Sequence, residues 1–411
     1  MPDINRYVLP NGLRIVHSYN PLTEIVAVNV LYNVGGKNDY NGKSGCAHLL
    51  EHLMFGGSEN VPNFDTVLQN AGGENNAYTT ADITNYYDIV PAHNLETALW
   101  VESDRMSFLN LNDKTLSVQR SVVTEEFKQR NLNRPYGDAS YLYRKTAYKK
   151  HPYRNRVIGN SISHINSITL DDIKNYYKQY YAPDNAILSI VGNVKFEQCI
   201  NLVEKWFAQL SPSGLKRPEI PEEPKQKKSR EISVCRKVRA NAIYKVWHIP
   251  GRTDDCYPCI DLISDILANG KSSRLKTELL KNKRLFFSID ASVTGDIDPG
   301  LLIVSGFLLP GVKMEDADDA IECEIEKLLL QKVSNHELKK VVNKFESSEL
   351  FDRTDNAEYA ARLAYSELLG NACNLASLTD RYRAVKCTDI MHAAEKFLIP
   401  SNCTTLYYNA I

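Results

Sequence analysis

The chain has 411 residues, 43% of them hydrophobic, and its 49 Lys and Arg nearly cancel its 50 Asp and Glu, leaving a formal net charge of -1. That length fits two domains, each able to bury its own core, while the balanced charge excludes the basic footprint of a nucleic-acid binder and no apolar run is long enough to span a membrane. Met1 to Arg6 lacks the charged and apolar regions of a signal peptide, and nine scattered cysteines are no disulfide framework, so a cytoplasmic protein with reduced thiols is expected.

Leu9-Pro10-Asn11-Gly12 is a hairpin turn, and the runs Leu13 to His17 and Ile25 to Tyr32 read as strands. A helix follows: Ser44 is placed to cap it, Ala47, Leu49, Leu50, Leu53, Met54 and Phe55 favour it, and Gly56-Gly57 stops it. On this helix His48 and His52 stand four residues apart and point the same way, with Glu51 flanking them. Two imidazoles on one turn are half of a zinc site, and a metal carrying water beside a carboxylate is hydrolytic machinery. Asn76, Ala77 and Tyr78 read as an edge strand ahead of a strand over Thr84 to Val90.

Catalytic zinc takes three protein ligands, so one more is needed. The helical segment from Asp113 to Arg130 offers Glu125 and Glu126. Leu116, Val118, Val122, Val123 and Phe127 define its apolar stripe, with Glu126 roughly 40° from the centre and Glu125 roughly 140° away. Glu126 is therefore the expected ligand and Glu125 the solvated neighbour.

Asp172-Ile173 opens a helix that ends near Pro183, followed by the buried-strand run Ala186 to Val191. From Ser211 to Arg230, four prolines stand among lysines and glutamates, a composition that suits a linker and neither a helix nor a strand. The expected division is thus 1–210, a linker at 211–230, and 231–411. Ala242 to His248, Leu301 to Leu308 and Thr404 to Tyr408 are further strands. Cys256-Tyr257-Pro258-Cys259 has no second such pair and reads as structural. The step from Asp172 to Pro183 equals that from Asp389 to Pro400, which points to a duplicated domain. Each half reads as α+β, with helices packed on a mainly antiparallel sheet.

Together these landmarks resemble the pitrilysin/insulinase family of inverzincin metallopeptidases, especially its short members related to mitochondrial processing peptidase. The likeness is carried by the H-x-x-E-H order at 48–52 inside Gly45 to Phe55, by Asn76-Ala77-Tyr78-Thr79, by Gln119 to Glu126, by Arg134-Pro135-Tyr136-Gly137 and by His151-Pro152-Tyr153. It runs over essentially the whole chain. It implies two homologous domains facing one another across a chamber, with one zinc ion on the first, held by His48, His52 and Glu126. Glu51 then becomes the general base of a zinc-dependent endopeptidase. The edge strand at Asn76, Ala77 and Tyr78 becomes the place where an extended or unfolded peptide pairs by β-augmentation.

The second half departs from the family. Short members carry an Arg and a Tyr, seven residues apart, after a Ser-Ser-Arg-Leu segment. Here Ser272-Ser273-Arg274-Leu275 is present, but the two positions hold Leu280 and Phe287, which supply neither charge nor phenolic donor. Arg284 lies nearby at a different spacing. In heterodimeric relatives a metal-free homologous subunit provides the pair that the zinc subunit lacks. The expectation is therefore the metal-bearing subunit of a two-subunit peptidase, with a homodimer or a self-sufficient monomer as the alternative. The alternative function is a non-catalytic peptide-binding or structural subunit with a stabilising metal.

Overall fold

The computed structural model describes residues 3–411, which build two sheets. The first holds β1 (Ile4–Val8), β2 (Arg14–Tyr19), β3 (Ile25–Tyr32), β4 (Glu74–Thr79), β5 (Thr84–Pro91) and β6 (Ala186–Gly192), in the order β1-β2-β6-β3-β5-β4. The second holds β7 (Arg230–Arg236), β8 (Ala242–His248), β9 (Phe286–Val293), β10 (Leu301–Leu308) and β11 (Cys403–Ala410), in the order β7-β11-β8-β10-β9. With the edge strand β1 set aside, both sheets run first strand, fifth, second, fourth, third. Each also contains a single parallel pair, β2 with β6 and β7 with β11, and is otherwise antiparallel.

The duplication reaches individual side chains. Asn185 Nδ2 donates to the carbonyls of Tyr180 and Asn33, and Asn402 Nδ2 donates to those of Phe397 and His248. Each asparagine closes the short turn from a helix into the last strand of its sheet, a local side-chain bond that suits this residue type.

β6 is buried along its whole length and β3 along all but its first residue, which explains their nearly continuous apolar sequence. Strands covered on both faces need helices on both. The Asn356–Leu368 helix lies on β3 and β6, although it comes from the second half of the chain. Conversely, the Ala139–Ala147 helix from the first half lies on β7, β8 and β11. The compact units are accordingly Met1–Gln129 with Asn155–Ile220 and Glu349–Ser377, and Arg130–Arg154 with Pro221–Ser348 and Leu378–Ile411. This corrects the division at 1–210 and 231–411. The Pro-rich stretch has no helix or strand before Arg230, but an amphipathic helix does not reveal which sheet will cover its apolar side.

In the first unit one apolar core takes in Leu49, Leu50 and Leu53 from the helix that carries the histidines. It also takes in Leu116, Val123 and Phe127 from the helix that carries Glu126. Each such side chain contributes about 1.5–3 kcal/mol on burial, so the same packing holds both helices in place. Among the described residues no helix is long and apolar enough to cross a membrane, and all nine cysteines are free thiols.

Candidate metal centre

The helix bearing His48, Glu51 and His52 spans Cys46–Leu53, and its start differs from the expected one. Gly45, not Ser44, occupies the cap position with φ of 100°. A Cβ there would lie 2.9 Å from the Ile158 carbonyl oxygen, so glycine is required twice over. The cap is supplied from outside the helix: the Asp39 carboxylate accepts the N–H groups of Gly45 at 2.6 Å and Ala47 at 2.9 Å. Burial pushes the Asp39 carboxyl up to about 7 against the pull of these donors. The Ser44 hydroxyl instead accepts from the Asn160 N–H at 2.8 Å and bonds to His164 Nδ1 at 2.9 Å, which pins the loop ahead of the helix. At the other end the Gly56 N–H donates to Leu53, closing the last turn where Gly56-Gly57 was expected to stop it.

The Asp113–Phe127 helix is capped by Asn112 and widens into a π-turn at Lys128–Leu132, just beyond Glu126. Such turns gather at functional sites. Its buried stripe is narrower than expected: Leu116, Val123 and Phe127 are buried, whereas Val118 and Val122 are about half exposed. Around this stripe Glu126 lies roughly 80° from the centre and Glu125 roughly 180°. Glu126 therefore sits on the flank of the buried face. Glu125 faces solvent, paired with Lys128 at 2.6 Å.

Glu126 Oε2 stands 3.6 Å from His48 Nε2 and 3.4 Å from His52 Nε2. The two imidazoles are 4.8 Å apart, centroid to centroid, and inclined at 71°. One donor atom from each of the three residues falls within 4.8 Å of the other two. Tetrahedral zinc with arms of 2.0–2.1 Å separates its ligand atoms by about 3.3–3.4 Å, so the donor set fits the ion in both type and spacing. His48 is buried, while the side chains of His52 and Glu126 keep about a fifth of their surface, which leaves one side of the cluster open to solvent.

Glu51 is buried but is not one of the three clustered donors. Its Oε2 accepts a hydrogen bond from Thr79 Oγ1, at the end of β4. Behind it lie Tyr86 and Tyr181, whose phenols burial pushes well up, with the Glu51 carboxylate adding to the shift, so both stay neutral. Deeper still, the fully buried Arg105 lies 3.3 Å from Glu102, with its guanidinium over the rings of Phe55, Phe64 and Tyr86 at 5.2, 4.6 and 5.2 Å. Burial first, and then Glu102, pushes the neighbouring Asp88 carboxyl well up. Sequence reasoning missed Asp39, the contact of Thr79 with Glu51, and this charged cluster. Polar residues ordinarily signal solvent on any element, and only burial overrides that reading.

β4 is the edge of its sheet, with β5 its one neighbour. Thr80 N–H donates to Ile83, so antiparallel alternation turns the main-chain groups of Ala77 and Thr79 away from β5 and toward the open edge. Asn76 and Tyr78 direct their side chains to solvent, and Asn76 Oδ1 accepts the Ala77 N–H at 2.8 Å. In the other unit Leu280 packs against the core and Phe287 is about half exposed on β9. Arg284 lies in the turn before β9 with φ of 52°.

Residues 14–161 match the family described as Insulinase (Peptidase family M16), and residues 167–345 match one described as Peptidase M16 inactive domain. The chain is 32% identical to "Zinc protease PqqE" of Helicobacter pylori, over 99% of this chain and 93% of that one. It is 28% identical to "Uncharacterized zinc protease YmxG" of Bacillus subtilis, over 74% and 73%. The crystal structure of a protease from Helicobacter pylori superposes on it with a TM-score of 0.93 at 30% identity, covering all of both chains.

Proposed function

The chain belongs to the insulinase-type (M16) peptidase family, and from that membership we propose that it is a zinc-dependent endopeptidase acting on extended or unfolded peptides. In this reading His48, His52 and Glu126 hold the metal and Glu51 is the general base. The observation that carries it is the approach of His48 Nε2 and His52 Nε2 to Glu126 Oε2, at 3.6 and 3.4 Å, from two helices rooted in one core. His48, His52 and Glu126 would hold zinc there, and the bound ion would supply a water of pKa near about 7 and a Lewis acid for the scissile carbonyl.

Glu51, on the same helical turn as His52 but outside the ligand set, takes the proton of the attacking water and passes it to the leaving amine. The Ala77 carbonyl and the outward main-chain groups of Thr79 are offered to the peptide, which must be extended to pair with them. Because Leu280 and Phe287 stand where short relatives carry Arg and Tyr, the chain fills the metal-bearing place in a two-subunit peptidase, and a homologous metal-free subunit supplies those donors.

Metal analysis and peptide hydrolysis by the purified chain, with and without such a subunit, test the reading. One zinc per chain, feeble turnover alone and a clear gain on adding the subunit are expected. Glu51→Gln should keep the zinc and lose about 10²–10⁴-fold in rate; an active Glu51→Gln protein would remove the base. Chelation that unfolds the protein, rather than merely silencing it, would favour a structural metal.

A further inference from the structure

We infer that Thr79 is a positioning residue for the general base: its hydroxyl holds the Glu51 carboxylate at the angle that proton transfer needs, and links that angle to the strand on which a peptide would lie. The inference rests on the reading of Glu51 as the base.

A glutamate reaches through three rotatable bonds, so a base that must meet a water at hydrogen-bond distance needs something to fix its head. Thr79 Oγ1 donates to Glu51 Oε2. The commitment of that hydrogen follows from the neighbouring hydroxyl. Thr84 Oγ1, fully buried at the start of β5, gives its own hydrogen to the Val34 carbonyl at 2.9 Å and stands 3.4 Å from Thr79 Oγ1. Thr84 therefore has no hydrogen left to offer Thr79, and a carboxylate is a stronger acceptor than a hydroxyl. The Thr79 hydrogen goes to Glu51. Thr79 also has a second role, because its main-chain groups face the open edge of β4. A peptide added there as a strand pairs with the residue whose side chain holds the base. Substrate alignment and base alignment thus share one anchor.

The test compares Thr79→Val, which keeps the shape and removes the donor, with Thr79→Ser, which keeps the donor. The zinc-loaded full chain is assayed on an internally quenched, unstructured peptide, and both variants are crystallised. Thr79→Val should lower kcat about ten- to a hundredfold with KM unchanged, retain one zinc per chain, and show the Glu51 carboxylate turned from its parental position. Thr79→Ser should restore both the rate and that position. A Thr79→Val protein with Glu51 unmoved, or with parental kcat, overturns the inference, and so does a loss of zinc that accounts for the loss of rate. The crystallographic comparison decides the matter even where the parent turns over slowly. Glu51→Gln, run alongside, separates the two failures. If that variant is active, the general-base reading falls; if it is inactive while Thr79→Val behaves as the parent, only the role of Thr79 falls.

Discussion

Replacing Glu126 and Glu125 in turn by Gln gives the sharpest test of the proposed metal centre, because the two residues are adjacent in sequence yet point about 100° apart around the helix. Each change preserves shape and removes one charge. Glu125 is largely exposed and paired with Lys128, an interaction worth under about 1 kcal/mol. Glu126 places an oxygen 3.4 Å from one imidazole nitrogen and 3.6 Å from the other. Removing a mere outer-shell partner from a metal site costs 10- to 100-fold in affinity, so removing an anionic ligand should cost at least about 100-fold, or about 2.7 kcal/mol. With free zinc at a thousand times the parental Kd the ion stabilises the fold by about 4.1 kcal/mol; at a hundredfold weaker affinity it adds only about 1.4. For a domain of this size that difference shrinks the zinc-induced rise in Tm by roughly 5–10 °C. Competition against a chromophoric chelator measures the affinity, and paired melts with and without zinc measure the stabilisation. Equal weakening by the two variants, or parental affinity in Glu126→Gln, would refute the placement of the third ligand.

Two further outcomes follow from charged groups outside the proposed centre. Arg105→Met should destabilise the protein by about 3–5 kcal/mol in urea unfolding, because Glu102 and Asp88 lose their buried cation. Adding Glu102→Gln should recover part of the loss, and a cost under about 1 kcal/mol would show that the cluster is not held by charge. Glu223 accepts the N–H groups of Lys149, Lys150 and His151 at 2.7, 2.8 and 2.9 Å. Burial pushes its carboxyl up, but the donors outweigh it and the folded group titrates below the ordinary range. Its stabilisation is present above an unfolded pKa of about 4.3 and is lost as pH falls through the folded value. Glu223→Gln should flatten the acid limb of stability against pH, and an unchanged limb would count against the shift.

Much of the fold was legible because burial leaves periodic marks. β2, β3, β5, β6, β8, β10 and β11 all fall on apolar runs predicted as strands. The strands β1, β7 and β9 went unpredicted as runs of their own, because each exposes part of its length and mixes polar residues into the pattern. Val118 and Val122 misled the placement of the Glu126 stripe, since an apolar residue on a helix surface is common and carries no signal. Glu126 still emerged over Glu125, because 100° per residue separates neighbours so widely that a moderate error in the stripe does not exchange them.

By itself, the order of residues determined whatever acts within a turn or two: the common direction of His48 and His52, the flanking Glu51, the stop at Gly56-Gly57, and the repeated helix-to-strand step of the two halves. Only tertiary structure decided what depends on distant segments meeting. Asp39 caps the histidine helix, Thr79 reaches Glu51, Glu126 closes on the two imidazoles, and the helices Ala139–Ala147 and Asn356–Leu368 each cover the sheet of the opposite half. The physical reason is that a periodic pattern records whether a side chain is buried, whereas its neighbour across the core is selected by how the packed layers fit together.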